Sequence, residues 1–324
     1  VPKLKAAVIV GPTAGGKTRL AVECALAYRE RYGSFAEIIS ADSMLVYRGL
    51  DIGTAKPTAA ERRGVVHHLI DICDPDEPFS VRDWLTSAEE AMADIRARGG
   101  WPLIVGGTHL YIKSLLEGMF DGPGADEVIR ERLHALPTLE LRQLLETLDP
   151  ATAARLHTND IRRTVRALEV LELTGTRISE HRQQWDKGGD ARDDLVLCGL
   201  DWPVELLNPR INARVRLMVE SGLVAEVIAL REQGKLSGQS EQALGYKQIL
   251  AHLDGHCTLN EAIEQIKIET RRFAKNQRTW AKRLRTTPGA VWLSVQDASE
   301  QELQQNIATI LASCIALADN ATQL

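Results

Sequence analysis

The chain has 324 residues, 44% of them hydrophobic and 26% charged, with a formal net charge of −5 at pH 7. That composition is ordinary for a folded globular protein and excludes a disordered, collagenous or disulfide-dense chain. The acidic balance also excludes nucleic-acid binding through bulk positive charge, so any such surface must be local.

Cys24, Cys73, Cys198, Cys257 and Cys314 are far apart, with no Cys-x-x-Cys pair and no Cys/His zinc spacing. They read as reduced, mostly buried thiols of a cytosolic protein. No apolar run reaches membrane-spanning length. The basic start is followed by an apolar run over 6–10 that is too short for a signal peptide.

In chain order, that run predicts a first strand. It leads into Gly11-Pro12-Thr13-Ala14-Gly15-Gly16-Lys17-Thr18, which matches Gly-x4-Gly-Lys-Thr and precedes a predicted helix over 17–32. Glycines there let backbone N–H groups turn toward phosphate oxygens, and the helix N-terminus adds partial positive charge. Lys17 would reach the outer phosphate, and the Thr18 hydroxyl would ligate Mg²⁺. The pattern does not say which ester is held; a nucleoside triphosphate is the default, and any diphosphate presents similar oxygens.

A second strand over 37–41 ends in Asp42-Ser43. Ligands of parallel sheets sit at the carboxyl ends of strands, so Asp42 should share a cleft with the phosphate loop. There it could hold magnesium, accept a proton or merely cap a turn. The stretch 51–57 adds hydroxyl and ammonium groups near that edge. A strand over 67–72 and a helix over 80–98 follow, with Ser80 and Asp83 as a start signature and Gly99-Gly100 as a stop. A strand over 103–105 runs to Gly106-Gly107-Thr108, and a helix over 109–116 closes the series. This alternation predicts an α/β fold, a parallel sheet flanked by helices. No strand runs into Asp-Glu as in motor ATPases; 69–71 comes nearest, which favours a transferase over a switch ATPase.

From 118 the pattern changes. Residues 125–185 are helical in period, one helix starting at Asn159-Asp160 and ending at Gly175, and a polar break precedes a strand over 195–200. The division is a core of 1–117 and 193–324 with an inserted helical domain over 118–192. Helices resume at 203. A long one starts at Thr258, with Glu261 closing a capping box, and runs to about 285. A strand over 291–295 and an amphipathic helix end the chain. The stretch "TRRFAKNQRTWAKRLR", 270–285, holds no acid. Arg271, Lys275, Arg278 and Lys282 share one helical face by spacing, either a solvated face or a surface for a phosphate backbone. Phe273 and Trp280 would face the core or stack on bases.

Taken alone, the loop, the strand-end Asp42 and the insertion fit a P-loop nucleoside or nucleotide kinase. The fuller set is more specific. "GPTAGGKT", "ISADSMLVYRGLDIGTAKP", "HHLIDICDP", "VGGTHLY", "HTNDIRRTVRALEV" and "ALGYKQ", in this order over about 8–280, resemble the bacterial tRNA dimethylallyltransferases. The resemblance implies a P-loop NTPase-like parallel-sheet core, with an inserted all-helical domain that grips tRNA. It implies transfer of a dimethylallyl group from dimethylallyl diphosphate to the N6 amine of adenosine 37 in the anticodon loop, dependent on Mg²⁺, by a cytoplasmic monomer.

Residue by residue, it implies Asp42 as the base and Ser43, Met44 and Leu45 as walls of the base pocket. Thr108 touches the target nucleotide. Arg214, from the pattern "RIxxRxxxM" that ends at Met218, absorbs charge on the leaving diphosphate, with Arg210 and Arg216 close by. Arg130, Arg162, Arg163, Thr164, Val165 and Arg166 occupy tRNA-contacting positions, as do Gln242, Ala243, Leu244, Gly245, Tyr246 and Lys247; Arg271 and Lys275 fit the RNA backbone. Gly15 replaces a frequent Ser, Leu45 and Arg162 stand where Gln occurs, and Asn276 stands where Arg or Lys is common. Prenyl transfer to free AMP or ATP would leave the insertion little use, and a non-catalytic RNA binder would not need Lys17, Thr18 and Asp42 together.

Overall fold

A computed structural model describes residues 4–119, 122–181 and 192–316. Six strands form one sheet: β1 Ala6–Val10, β2 Ala36–Ala41, β3 His67–His68, β4 Trp101–Gly106, β5 Leu195–Asp201 and β6 Val291–Ser294. Their order is β3-β2-β4-β1-β5-β6, and every pairing is parallel. β1, β2 and β4 are buried along their whole length. Covered on both faces, they read as continuous apolar runs with no alternation.

Register places the site. Gly106, the last residue of β4, pairs with Val10 of β1 on one side and Ala41 of β2 on the other. The chain therefore leaves the sheet at one level at Gly11, Asp42 and Gly107. β4 must be thin there: a Cβ on Gly106 would lie 2.0 Å from the Ala41 carbonyl oxygen.

The helices around this sheet are α1 Lys17–Tyr32, α2 Ala59–Arg62, α3 Val81–Ala97 and α4 His109–Glu117. Ser80 and Asp83 form the expected capping box at the start of α3. The predicted strand over 67–72 pairs only at His67–His68, because Leu69 and Asp71 turn the chain with φ of 59 and 58. No helix among the described residues is long and apolar enough to cross a membrane.

The chain separates into two compact units, one of Val1–Ser114 with Asp193–Leu324 and one of Leu115–Arg192. The second contains α5 Glu127–His134, α6 Thr138–Leu148, α7 Pro150–Arg155 and α8 Ile161–Thr174. Leu133, Leu141, Leu145, Val165 and Leu168 form its core. Asp160 caps α8, and Gly175 ends it in the left-handed region. The polar break before β5 lies largely outside the described residues.

The first unit continues with α9 Val204–Glu220, α10 Leu223–Glu232, α11 Gly238–Glu241, α12 Tyr246–Leu253, α13 Leu259–Leu284 and α14 Glu300–Ala316. Thr258 and Glu261 cap α13 reciprocally, as their spacing predicts. A second core joins Val46, Tyr47 and Leu50 of the loop after β2 to Val215, Val227, Tyr246 and Ile266 of these helices.

Candidate active site

The loop after β1 turns through two left-handed residues, Ala14 with φ 58 and Gly16 with φ 76. α1 starts without a side-chain cap, so its first amides are left to a ligand. Thr13 through Thr18 line a cavity of about 900 Å³. Gly11 and Pro12 do not; Gly11 serves packing, since a Cβ there would sit 3.0 Å from Leu200 Cβ.

Three residues with no signal in the local pattern hold the loop. Trp202 Nε1 donates to Gly15 O at 3.1 Å, Arg210 Nε donates to Ala14 O at 3.0 Å, and Thr13 N donates to Gln277 Oε1 at 2.7 Å. Arg210 also lies over the Trp202 ring, 4.9 Å from its centroid. A Cβ at position 15 would sit 2.8 Å from Pro12 O and 3.1 Å from Trp202 Nε1, which accounts for Gly15 in this chain. The Thr13 amide, expected to face phosphate, belongs to Gln277.

Lys17 Nζ donates to Pro12 O at 2.8 Å. Burial pushes its pKa down to about 8; Asp42 opposes that shift and Arg214 adds to it. Arg214, from α9, is likewise held below the usual guanidinium range by burial, with Asp42 opposing. Arg214 makes no hydrogen bond or ion pair among the described residues, whereas Arg210 is committed to the loop and Arg216 is exposed outside the cavity. Lys17, Arg210 and Arg214 line the cavity around the loop together with Asp42; Arg19, Lys56 and Arg63 add to its cations, and Glu23, Asp51 and Glu61 to its carboxylates. The excess of positive charge, poorly solvated at Lys17 and Arg214, favours a polyanion.

Asp42 lines the same cavity, and its Oδ1 accepts from Met44 N at 2.9 Å. Ser43 N donates to Thr108 Oγ1 at 3.0 Å, and Thr108 N donates to Ala41 O at 3.2 Å. Thr108 therefore holds the acidic turn from the neighbouring strand end. Leu45, Ile52, Leu217, Met218 and Phe273 supply apolar wall. Met44, read as base-pocket wall, instead packs on the second core.

Several residues read as RNA contacts are structural. Ala243 and Tyr246 are buried. The Tyr246 hydroxyl donates to Glu226 at 2.5 Å, and that carboxylate also accepts the amides of Asp51, Ile52 and Gly53. Gly245 takes φ 99 to start α12, and Lys247 pairs with Glu269. Gln242 is exposed and Leu244 half-buried. In the helical unit Thr164 and Val165 are core residues. Arg130 and Arg166 both bond the fully buried Glu169, and Arg163 pairs with Asp160, leaving Arg162 exposed.

On α13 Arg271 Nη1 donates to Asn212 at 2.6 Å, and Arg278 is half-buried, while Arg272, Lys275, Lys282 and Arg283 are exposed. Phe273 is exposed at the cavity, and Trp280 stacks on His109 at 5.7 Å. Lys56 lines the cavity, as its reading as a cleft ammonium expects, and its ammonium is tied to Tyr47 O, Asp51 and Asp71. Asp71 is thereby a loop anchor and not a metal-binding strand-end acid.

For a metal, Thr18 and Asp42 offer hard oxygens in the cavity, and no cluster of three acidic, His or Cys ligands occurs among the described residues. That donor set fits Mg²⁺ held by one or two protein oxygens together with substrate phosphates.

The IPP transferase family profile matches residues 45–284. A tRNA dimethylallyltransferase of Geotalea uraniireducens is 47% identical over 283 residues, covering 86% of this chain and 89% of the relative. The crystal structure of a tRNA isopentenylpyrophosphate transferase from Bacillus halodurans superimposes with TM-score 0.72 at 39% identity, over 98% of this chain and 99% of that one. A eukaryotic dimethylallyltransferase crystallised acting on tRNA gives TM-score 0.81 at 28% identity, over 99% and 80%.

Proposed function

The chain belongs to the IPP transferase family, the tRNA dimethylallyltransferases, and from that premise we propose how its cleft carries out prenyl transfer to tRNA. The protein is a P-loop prenyltransferase that modifies tRNA. The proposed donor is dimethylallyl diphosphate, and the proposed acceptor is the N6 amine of adenosine 37. What supports this reading is the convergence, on one cleft, of a phosphate loop, the strand-end carboxylate Asp42 and Arg214, which has no hydrogen-bond partner among the described residues.

An adenine exocyclic amine is a poor nucleophile, because its lone pair is delocalised into the ring. Asp42 accepts a hydrogen bond from that N–H and takes the proton as nitrogen bonds to the allylic carbon. The bond from that carbon to the diphosphate oxygen breaks, and the pair stays on oxygen. Lys17, Arg214 and the first amides of α1 stabilise the charge that develops there. Thr18, together with the substrate phosphates, would hold Mg²⁺, which would supply further charge neutralisation there. Thr108 keeps Ser43, and so Asp42, at the level of the phosphate loop.

RNA docking is proposed at Arg162, Gln242 and the exposed face of α13, where Lys275 lies. The acceptor base leaves its loop to reach the cleft. A monomeric, cytoplasmic enzyme completes the proposal.

The deciding experiment is mass spectrometry of products from the protein, Mg²⁺, dimethylallyl diphosphate and an unmodified anticodon stem-loop containing adenosine 37, with parallel tubes offering AMP or ATP. A five-carbon gain on the stem-loop alone is expected. Gain only on a free nucleotide overturns the tRNA acceptor, and phosphate transfer from ATP without prenylation overturns the donor.

A further inference from the structure

Gln277 sits on the buried side of α13, between Ala274 and Ala281, and is itself buried. A helix packed there needs only apolar side chains. A buried amide is costly unless both its ends are bonded. Both are: Oε1 accepts the Thr13 amide at 2.7 Å, and Nε2 donates to Gly107 O at 3.1 Å. One side chain therefore spans the phosphate loop after β1 and the turn after β4. The fit is close, since a Cβ on Gly107 would lie 2.3 Å from Gln277 Nε2. The same turn meets α13 again, where the His109 ring stacks on Trp280.

We infer that Gln277 is a positioning residue for prenyl transfer: its amide sets the distance between the loop holding the leaving group and the turn holding Thr108, Ser43 and Asp42. This rests on the transferase reading above. The two loops touch opposite partners of the reacting pair. Their separation is a distance along the reaction axis, where about 1 Å of misplacement costs on the order of 100-fold in rate.

The test compares wild type with Gln277→Met, which keeps volume and loses both hydrogen bonds, and with Gln277→Glu. Rates are taken where circular dichroism shows each protein fully folded. Gln277→Met is expected to lower kcat about 30-fold or more, with KM for dimethylallyl diphosphate and for the stem-loop each within about threefold. Gln277→Glu, ionised, accepts from Thr13 but repels Gly107 O; protonated, it regains a donor. Its kcat relative to wild type should rise about tenfold from pH 8 to pH 6. Wild-type kcat in folded Gln277→Met, or a pH-independent ratio for Gln277→Glu, overturns the inference. A wild-type protein that prenylates nothing overturns the transferase reading instead.

Discussion

Thr108 Oγ1 accepts the Ser43 amide hydrogen at 3.0 Å, so the end of β4 fixes the residue next to Asp42. The hydroxyl is the only part of Thr108 that does this. Thr108→Val keeps the shape and removes the acceptor, leaving the Ser43 amide without its partner. We expect kcat to fall about tenfold or more, and Thr108→Ser to restore most of it. Single-turnover rates on the stem-loop check this; a Val variant at wild-type rate would remove Thr108 from the positioning set.

Asp42 is assigned the proton, so its loss should cost rate and spare binding. Asp42→Asn is expected to lower kcat about 10²–10⁴-fold while the stem-loop Kd stays within about threefold. Filter binding beside product kinetics separates the two, and a loss confined to RNA affinity sinks the assignment.

Lys17 must be charged to meet the diphosphate, yet burial sets its pKa at about 8 in the free enzyme. kcat/KM for the donor should therefore fall as pH rises through about 8. A bound polyanion favours the ammonium, so the alkaline limb of kcat should lie higher. The folding consequence has the opposite sign. A lysine depressed in the fold adds stability that is complete above its unfolded pKa of about 10.4 and is lost as pH falls through about 8. Lys17→Met should flatten that part of the stability curve, measured by urea melts between pH 8 and pH 10.

The loop after β2 is pinned through Glu226. Gly53 lies so close to Tyr246 that a Cβ there would stand 2.4 Å from the ring. Gly53→Ala should destabilise the fold by about 1–3 kcal/mol by overpacking. Tyr246→Phe should lose about 1.5–3 kcal/mol, because its hydroxyl serves a carboxylate. Urea melts give both values, and unchanged midpoints would show the loop to be held elsewhere.

Lys275 and Lys282 are exposed on α13 and free for a phosphate backbone, unlike Arg271, which serves Asn212. Replacing both lysines by Ala should weaken stem-loop binding. The slope of log K against log salt should become shallower by about 0.7 for each phosphate that a lysine had neutralised. An unchanged slope would make this face a solvated surface only.

What the chain declares by itself is whatever is contiguous. The phosphate loop lies between β1 and α1 within one short stretch, and its left-handed turn at Gly16 is dictated locally. The capping boxes at Ser80 and Thr258 close over three residues, so spacing alone reveals them. Asp42 is legible for a related reason: it directly follows a strand, and ligands of parallel sheets sit at the strands' carboxyl ends. The tertiary structure decided the rest. Gln277 reaches Thr13 across 264 residues, and Trp202 reaches Gly15 across 187. Nothing in a helical period says that one buried position will be an amide between two loops. Arg210, Arg214 and Arg216 look alike in sequence, yet α9 gives one to the loop, one to the cleft and one to solvent. In the motif around Tyr246, which reads as a binding signature, Ala243 and Tyr246 are buried in a clasp while Gln242 stays exposed, since a side chain's environment is set by what folds over it and local sequence carries no record of that.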